Sequence, residues 1–224
     1  MPTPSRTAAA VAAVAAAALV VGTTGAPAVA SDHKEVDQSL LVPSTLDSSF
    51  APFDCKLKVT GPVCTGERVV HTDWGVFDFP CDDVTVYSRT DSSRQSTRFY
   101  DHDYLNYDRR VRIHDVDHLS TSPEGPAQAT ITTHGRFAEP FAVPGDVSTV
   151  TVITTGTIGE IALVGGPPLA RVVGTLVEPP DAPGTFTGHS TVDGVTTRWV
   201  DAPLDVVFGE EQFVATVCEA VGAG

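Results

Sequence analysis

The run His114-Asp115-Val116-Asp117-His118 sets two imidazoles and two carboxylates in one short segment. These are the residue types of metal binding and of general acid–base chemistry. The spacing argues against a shared metal. On a strand, His114 and His118 share a face but stand about 13 Å apart, from roughly 3.3 Å of rise per residue. Asp115 and Asp117 then fall on the face of Val111, Ile113 and Leu119, where carboxylates are costly unless paired. Either the strand bulges here or arginines reach in. The plainer reading is a wet strand end that runs into Ser120-Thr121-Ser122.

Three other constellations invite a chemical reading. Asp101, Asp103, Asn106 and Asp108 form an oxygen-rich turn, but Leu105 and Asn106 break the calcium-loop pattern, which favours a hairpin loop capping its own backbone. Gly188-His189-Ser190-Thr191-Val192 lacks the second glycine and the following helix of a nucleophile elbow, so Ser190 is not a nucleophile. Arg109, Arg110 and Arg112, with Arg89, Arg94 and Arg98 nearby, form a basic cluster suited to an anionic partner or to neutralising local aspartates. His102, His114 and His134 are the histidines an acid–base enzyme would draw on. No residue is assigned a catalytic or metal-binding role, and no cofactor is expected.

These groups must be carried by some scaffold, and its compartment comes first. Arg6, the apolar run Ala8–Val21 and Ala28-Val29-Ala30 read as a secretory signal over residues 1–30, with a mature start at Ser31. Gly22-Thr23-Thr24-Gly25 ends the run short of a membrane span. No integral span is expected after cleavage, and the product is expected outside the cell. Export makes the four cysteines, Cys55, Cys64, Cys81 and Cys218, candidates for two disulfides, with three connectivities open. Their irregular spacing disfavours zinc.

Residues 31–54, broken by Pro43, Ser44, Ser48, Ser49 and Pro52, read as a flexible N-terminal tether, and 55–80 as a disulfide-containing extension. From residue 55, Val and Thr dominate and helical spacing is nearly absent. Strands are predicted at 66–72, 83–89, 95–100, 109–119, 127–137, 147–155, 158–164, 170–177, 185–191, 196–207 and 211–218. Alternation is clearest at Val84 and Val86, at Val150 and Val152, and at Phe213, Ala215 and Val217. Turn residues such as Asp91-Ser92-Ser93, Ser122-Pro123-Glu124-Gly125-Pro126 and Pro144-Gly145-Asp146 are expected to separate the strands. Residues 81–220 thus read as an all-β domain, an antiparallel closed or nearly closed barrel of about eight strands, with a β-sandwich as the alternative. In a closed barrel the first and last strands adjoin. A Cys81–Cys218 bridge would fasten that seam and leave Cys55 with Cys64. Trp74, Phe77, Phe79, Tyr87, Phe99, Tyr100, Tyr104 and Tyr107 would plug such a barrel or line a small apolar cavity.

The segments "FPCDDVTVY", "RFYDHD", "PAQATITTHGRF", "RVVGTLV" and "ATVCEAV" resemble a group of exported actinobacterial proteins with an Ala-rich signal, a first core strand near a Cys, a Tyr-Asp-x-Asp turn and a Cys near the C-terminus. The resemblance covers about residues 79–220. It implies a calycin-like barrel and export, and no activity; residues 31–78 stand outside it.

The chain carries 28 acidic against 14 basic side chains, a net charge of −14, which disfavours nucleic acid as a partner. Three function classes remain. The first is a non-enzymatic barrel that binds a small apolar ligand or a surface partner such as an envelope component. The second is a cyclase- or isomerase-like enzyme using a pocket carboxylate or histidine. The third is a structural envelope module.

Overall fold

A computed structural model describes residues 35–43, 48–79 and 81–223. The expected signal peptide lies outside the described residues. Ten strands follow one another: β1 (Asp54–Lys58), β2 (Gly61–His71), β3 (Gly75–Val76), β4 (Tyr87–Tyr100), β5 (Asn106–Ser120), β6 (Ala129–Pro140), β7 (Val152–Leu163), β8 (Pro168–Glu178), β9 (Thr185–Val192) and β10 (Val195–Pro203). Two helices end the chain, α1 (Leu204–Val207) and α2 (Glu210–Ala220). All strand pairs are antiparallel, in the order β1-β2-β4-β5-β6-β7-β8-β9-β10, with β3 also against β4. Each strand from β4 onward pairs with its successor in sequence, as short Gly, Pro and Asp turns require.

The sheet does not close, since β1 and β10 are its two unpaired edges among the described residues. The closed or nearly closed barrel of about eight strands is therefore corrected to an unclosed antiparallel sheet of ten, an open barrel or a sandwich. The reason lies in the C-terminal segment. Phe213, Ala215 and Val217 alternate, but the same stretch also satisfies the helical period through Phe213, Val217 and Ala220 and through Val214, Cys218 and Val221. As a strand it would send half of these to solvent. As α2 it packs all six against Val86, Leu119, Ala129, Ile161 and Ala170. Glu210 and Glu211 lie in its first turn, where carboxylates favour the positive end of a helix. Gly222, at φ +72°, ends it, and the Ala223 N–H donates to Cys218 O. The segment expected to close the barrel thus packs as a helix against the sheet. The predicted strand 196–207 likewise ends at Pro203 and turns into α1.

The disulfides are Cys55–Cys64 and Cys81–Cys218. The first joins residues that face each other across β1 and β2. The second ties the bridge before β4 to α2, so it anchors a helix to the sheet and does not fasten a strand seam.

Residues 31–54 are not a loose tether in their described part. Val36, Leu41 and Phe50 are buried, and Val36 and Leu41 cluster with Cys64 and Tyr100. Residues 55–80 supply β1, β2 and β3 to the same sheet.

Four glycines stand in one cross-strand row, Gly135, Gly156, Gly174 and Gly188. A Cβ on Gly174 would lie 2.3 Å from Thr187 O and 2.8 Å from the ring of Phe186, which is fully buried. Such a row of missing side chains lets a sheet fold over its own face. Gly174→Ala is expected to lose about 3 kcal/mol in urea denaturation, the range of a core overpacked by one methyl.

Candidate functional site

Alternation along β4, β5 and β6 sorts the polar residues onto two faces. The inner face carries Ser92, Arg94, Ser96 and Arg98 on β4, opposite Asp115, Ile113, Val111 and Arg109 on β5. The outer face carries Gln95 and Thr97 on β4, Arg110, Arg112, His114 and His118 on β5, and His134, Arg136 and Ala138 on β6.

On the inner face the expected carboxylates are paired. Arg94 donates to Asp115 from Nε, at 3.2 and 3.1 Å, and from Nη2. Ser92 Oγ donates to the same carboxylate at 2.6 Å, and Thr90 donates to Asp117. Burial pushes the Asp115 carboxyl up, but the hydrogen bonds from Arg94 and Ser92 and the charge of Arg94 outweigh it and hold the group below its ordinary value. A carboxylate so held is a poor proton acceptor near neutral pH. Its folded value lies below the unfolded one, so its contribution to stability is complete above the unfolded pKa of about 3.9 and is lost as pH falls through the folded value. Asp115→Asn is expected to cost about 2 kcal/mol at pH 7 by leaving Arg94 without its ion pair, and the difference from wild type should vanish toward pH 2. Urea midpoints across that range would measure it.

His114 and His118 share the outer face and do not meet, as the strand spacing requires. His118 Nε2 donates to Asp91 Oδ2 at 2.9 Å, and His71 Nδ1 to Asp91 Oδ1 at 2.6 Å. Those two hydrogen bonds, His71 first, hold the Asp91 carboxyl below its ordinary value. His114 instead faces His134 directly across β5 and β6, with ring centroids 5.4 Å apart. Among the described residues no three His, Cys, Asp or Glu side chains converge on a metal position.

One rung along, Arg112 stands directly opposite Arg136. Both are exposed, and neither has a hydrogen bond or ion pair among the described residues. Arg110 stacks over the Phe99 ring at 5.1 Å and bonds Asp108 at 2.8 Å. These side chains, with Gln95, Thr97, Pro140, Ile153 and Thr155, line a groove of about 650 Å³. A hollow of about 460 Å³ continues it through Arg112, Arg136, His114 and His134. A third, of about 290 Å³, extends past His114 to His71 and His118. From Asp108 to His118 the run along β5 is about 33 Å.

The remaining sequence candidates fall elsewhere. Asp101 Oδ1 accepts from the backbone of Asp103 and Leu105, both at 2.9 Å, so the oxygen-rich turn caps itself. Ser190 is buried on β9 and accepts from Trp199 Nε1 at 2.9 Å. His102 is exposed in the β4–β5 turn. The arginines do not form one face, since Arg94, Arg98 and Arg109 point inward and Arg110 and Arg112 outward. Arg89 lies over Trp74 at 5.3 Å. The aromatics also divide: Tyr100 is fully buried, Phe99 and Tyr107 pair on the opposite face, and Phe77 and Phe79 join Phe213 beside α2. Arg136 is the groove residue the sequence did not reveal, because only the β5–β6 register sets it opposite Arg112.

Compared with known proteins, the chain matches no family model, no curated protein and no solved structure.

Proposed function

We propose that the protein is an exported, non-enzymatic binding module that holds an extended anionic partner, such as an acidic envelope polymer, along the outer face of β4–β6. The observation that carries this reading is the pair of like rungs, Arg112 against Arg136 and His114 against His134. Like charges directly opposite in a sheet destabilise it. A chain with twice as many acidic as basic side chains has carboxylates enough to neutralise such a rung, yet none does so among the described residues. An anionic ligand gains the charge-assisted hydrogen bonds that both guanidinium groups leave open.

The groove is open and elongated, which suits a chain more than a small molecule. The inner face, filled by α2 at one end and crossed by ion pairs in the middle, lends less support to a small apolar ligand. The global charge is acidic, but beyond about 8 Å its field is largely screened at physiological ionic strength, so the local cations decide contact. Export, and with it an envelope partner, rests on the signal-like N-terminus and the two disulfides.

Calorimetric titration with dextran sulfate and with neutral dextran tests the reading. Binding of the sulfated polymer alone, weakening as salt rises, is expected. Equal behaviour toward the two polymers would overturn it.

A further inference from the structure

The end of the inner face nearest the β4–β5 turn holds a charge that no described residue balances. Arg98 is only 9% exposed and has no ion pair among the described residues; its Nε is fully buried and unpartnered. Two residues on, Tyr100 is 0% exposed and its hydroxyl is likewise unpartnered. The Arg98 guanidinium lies beside that hydroxyl, and its charge, with its approach as a hydrogen-bond donor, partly offsets the burial that pushes the phenol up.

Among the described residues, the neighbours add no compensating charge. Across the strand pair stands Arg109, itself a cation, already held by Glu139 at 3.2 Å and by Ser96 at 3.2 Å. On the other side Arg98 faces Cys64 of a disulfide. Asn106 Oδ1, in the same hairpin, is a buried unpartnered acceptor, but it is uncharged, and its amide nitrogen is engaged by Phe99 O and Asp108 O. The Phe50 ring lies 5.8 Å from the Arg109 guanidinium and the Phe50 carbonyl passes over Gly66, so the N-terminal segment covers this end.

A buried guanidinium without a counter-charge costs far more than one that is paired, and a buried hydroxyl without a partner adds to that cost. Both groups can donate, and a guanidinium presents two parallel N–H bonds that match two oxygens of one anion. We infer that this end of the inner face is a buried site for a small oxyanion of the phosphate or sulfate class, held by the Arg98 guanidinium and the Tyr100 hydroxyl. It is separate from the outer groove, because Arg98 lies on the opposite face of β4 from Gln95 and Thr97. An ion bound only to the folded protein stabilises it by mass action.

The test is thermal unfolding of the full mature chain in a low-anion buffer, titrated with millimolar inorganic phosphate at constant ionic strength. A saturable rise in Tm of about 5–10 °C at a hundredfold excess over Kd is expected. Arg98→Met should abolish that rise while giving a higher Tm than wild type without phosphate. Tyr100→Phe, a milder change that keeps the fold, should weaken phosphate affinity about 3- to 10-fold. Arg112→Ser with Arg136→Ser, in the outer groove, should leave the response unchanged. No saturable response in the wild type would overturn the inference, as would a response that survives Arg98→Met or is lost with the groove variant.

Discussion

Arg112→Glu is expected to weaken dextran sulfate binding about 100-fold and, in the same protein, to raise thermal stability. The two effects have one cause. In the native sheet Arg112 and Arg136 face each other across β5 and β6. Replacing one with a carboxylate turns a repulsive rung into an attractive one, for which cross-strand pairs are worth about 0.2–1 kcal/mol. That corresponds to a rise of roughly 1–3 °C for a chain of this size. The ligand, however, loses one charge-assisted contact directly and meets a second guanidinium already occupied by Glu. One such contact is worth about 1.5–3 kcal/mol, and each 1.4 kcal/mol is tenfold in affinity. Calorimetric titration gives the affinity and scanning calorimetry the Tm. A variant that loses binding by unfolding would show the opposite sign in Tm. Unchanged affinity with raised Tm would mean that the rung is only a local strain and that the groove does not bind through it.

Removing the Cys81–Cys218 bridge as Cys81→Ala with Cys218→Ala is expected to lower stability by about 4 kcal/mol, a fall of roughly 8–16 °C in Tm. The bridge spans a sequence separation of 137, so in the chain-entropy relation it restricts the unfolded chain by about 5 kcal/mol, and losses on removing native disulfides run to about 2–5. It also fixes α2, whose Val217, Cys218, Ala220 and Val221 pack against Leu119, Ala129 and Ile161. Backbone hydrogen exchange should therefore quicken in α2 before it does in β4 and β5. The Cys55–Cys64 bridge closes a separation of only 9, and its removal is expected to cost less, about 2.5 kcal/mol. Scanning calorimetry of the two double variants compares them. If the Cys81–Cys218 variant melted within 2 °C of wild type, the helix would be held by apolar packing alone.

Much of the local structure was legible in the residues. Val and Thr content between turn residues locates β5, β6, β8 and β9, but β4 and β7 each read as two strands, since Asp91-Ser92-Ser93 has turn composition, and the alternation at Val84 and Val150 falls outside both. Along β5 period two holds, because a strand with one buried face leaves that pattern in its own sequence. The same period placed His114 and His118 on one face and set Asp115 and Asp117 inward, with the demand for an arginine that Arg94 meets. The Asp101 turn was readable for a similar reason, since an aspartate caps the amides that follow it closely. Other features depended on partners distant in sequence. The run from Phe213 to Val221 fits both a strand and a helix, and the apolar surface left by Val86, Leu119 and Ile161 decided for the helix, leaving the sheet open. Likewise, alternation says which face Arg112 and Arg136 occupy but not that they oppose each other. That depends on the β5–β6 register, set by the turn and by long-range packing, and it is the register that turns two ordinary arginines into a cationic rung unpaired among the described residues.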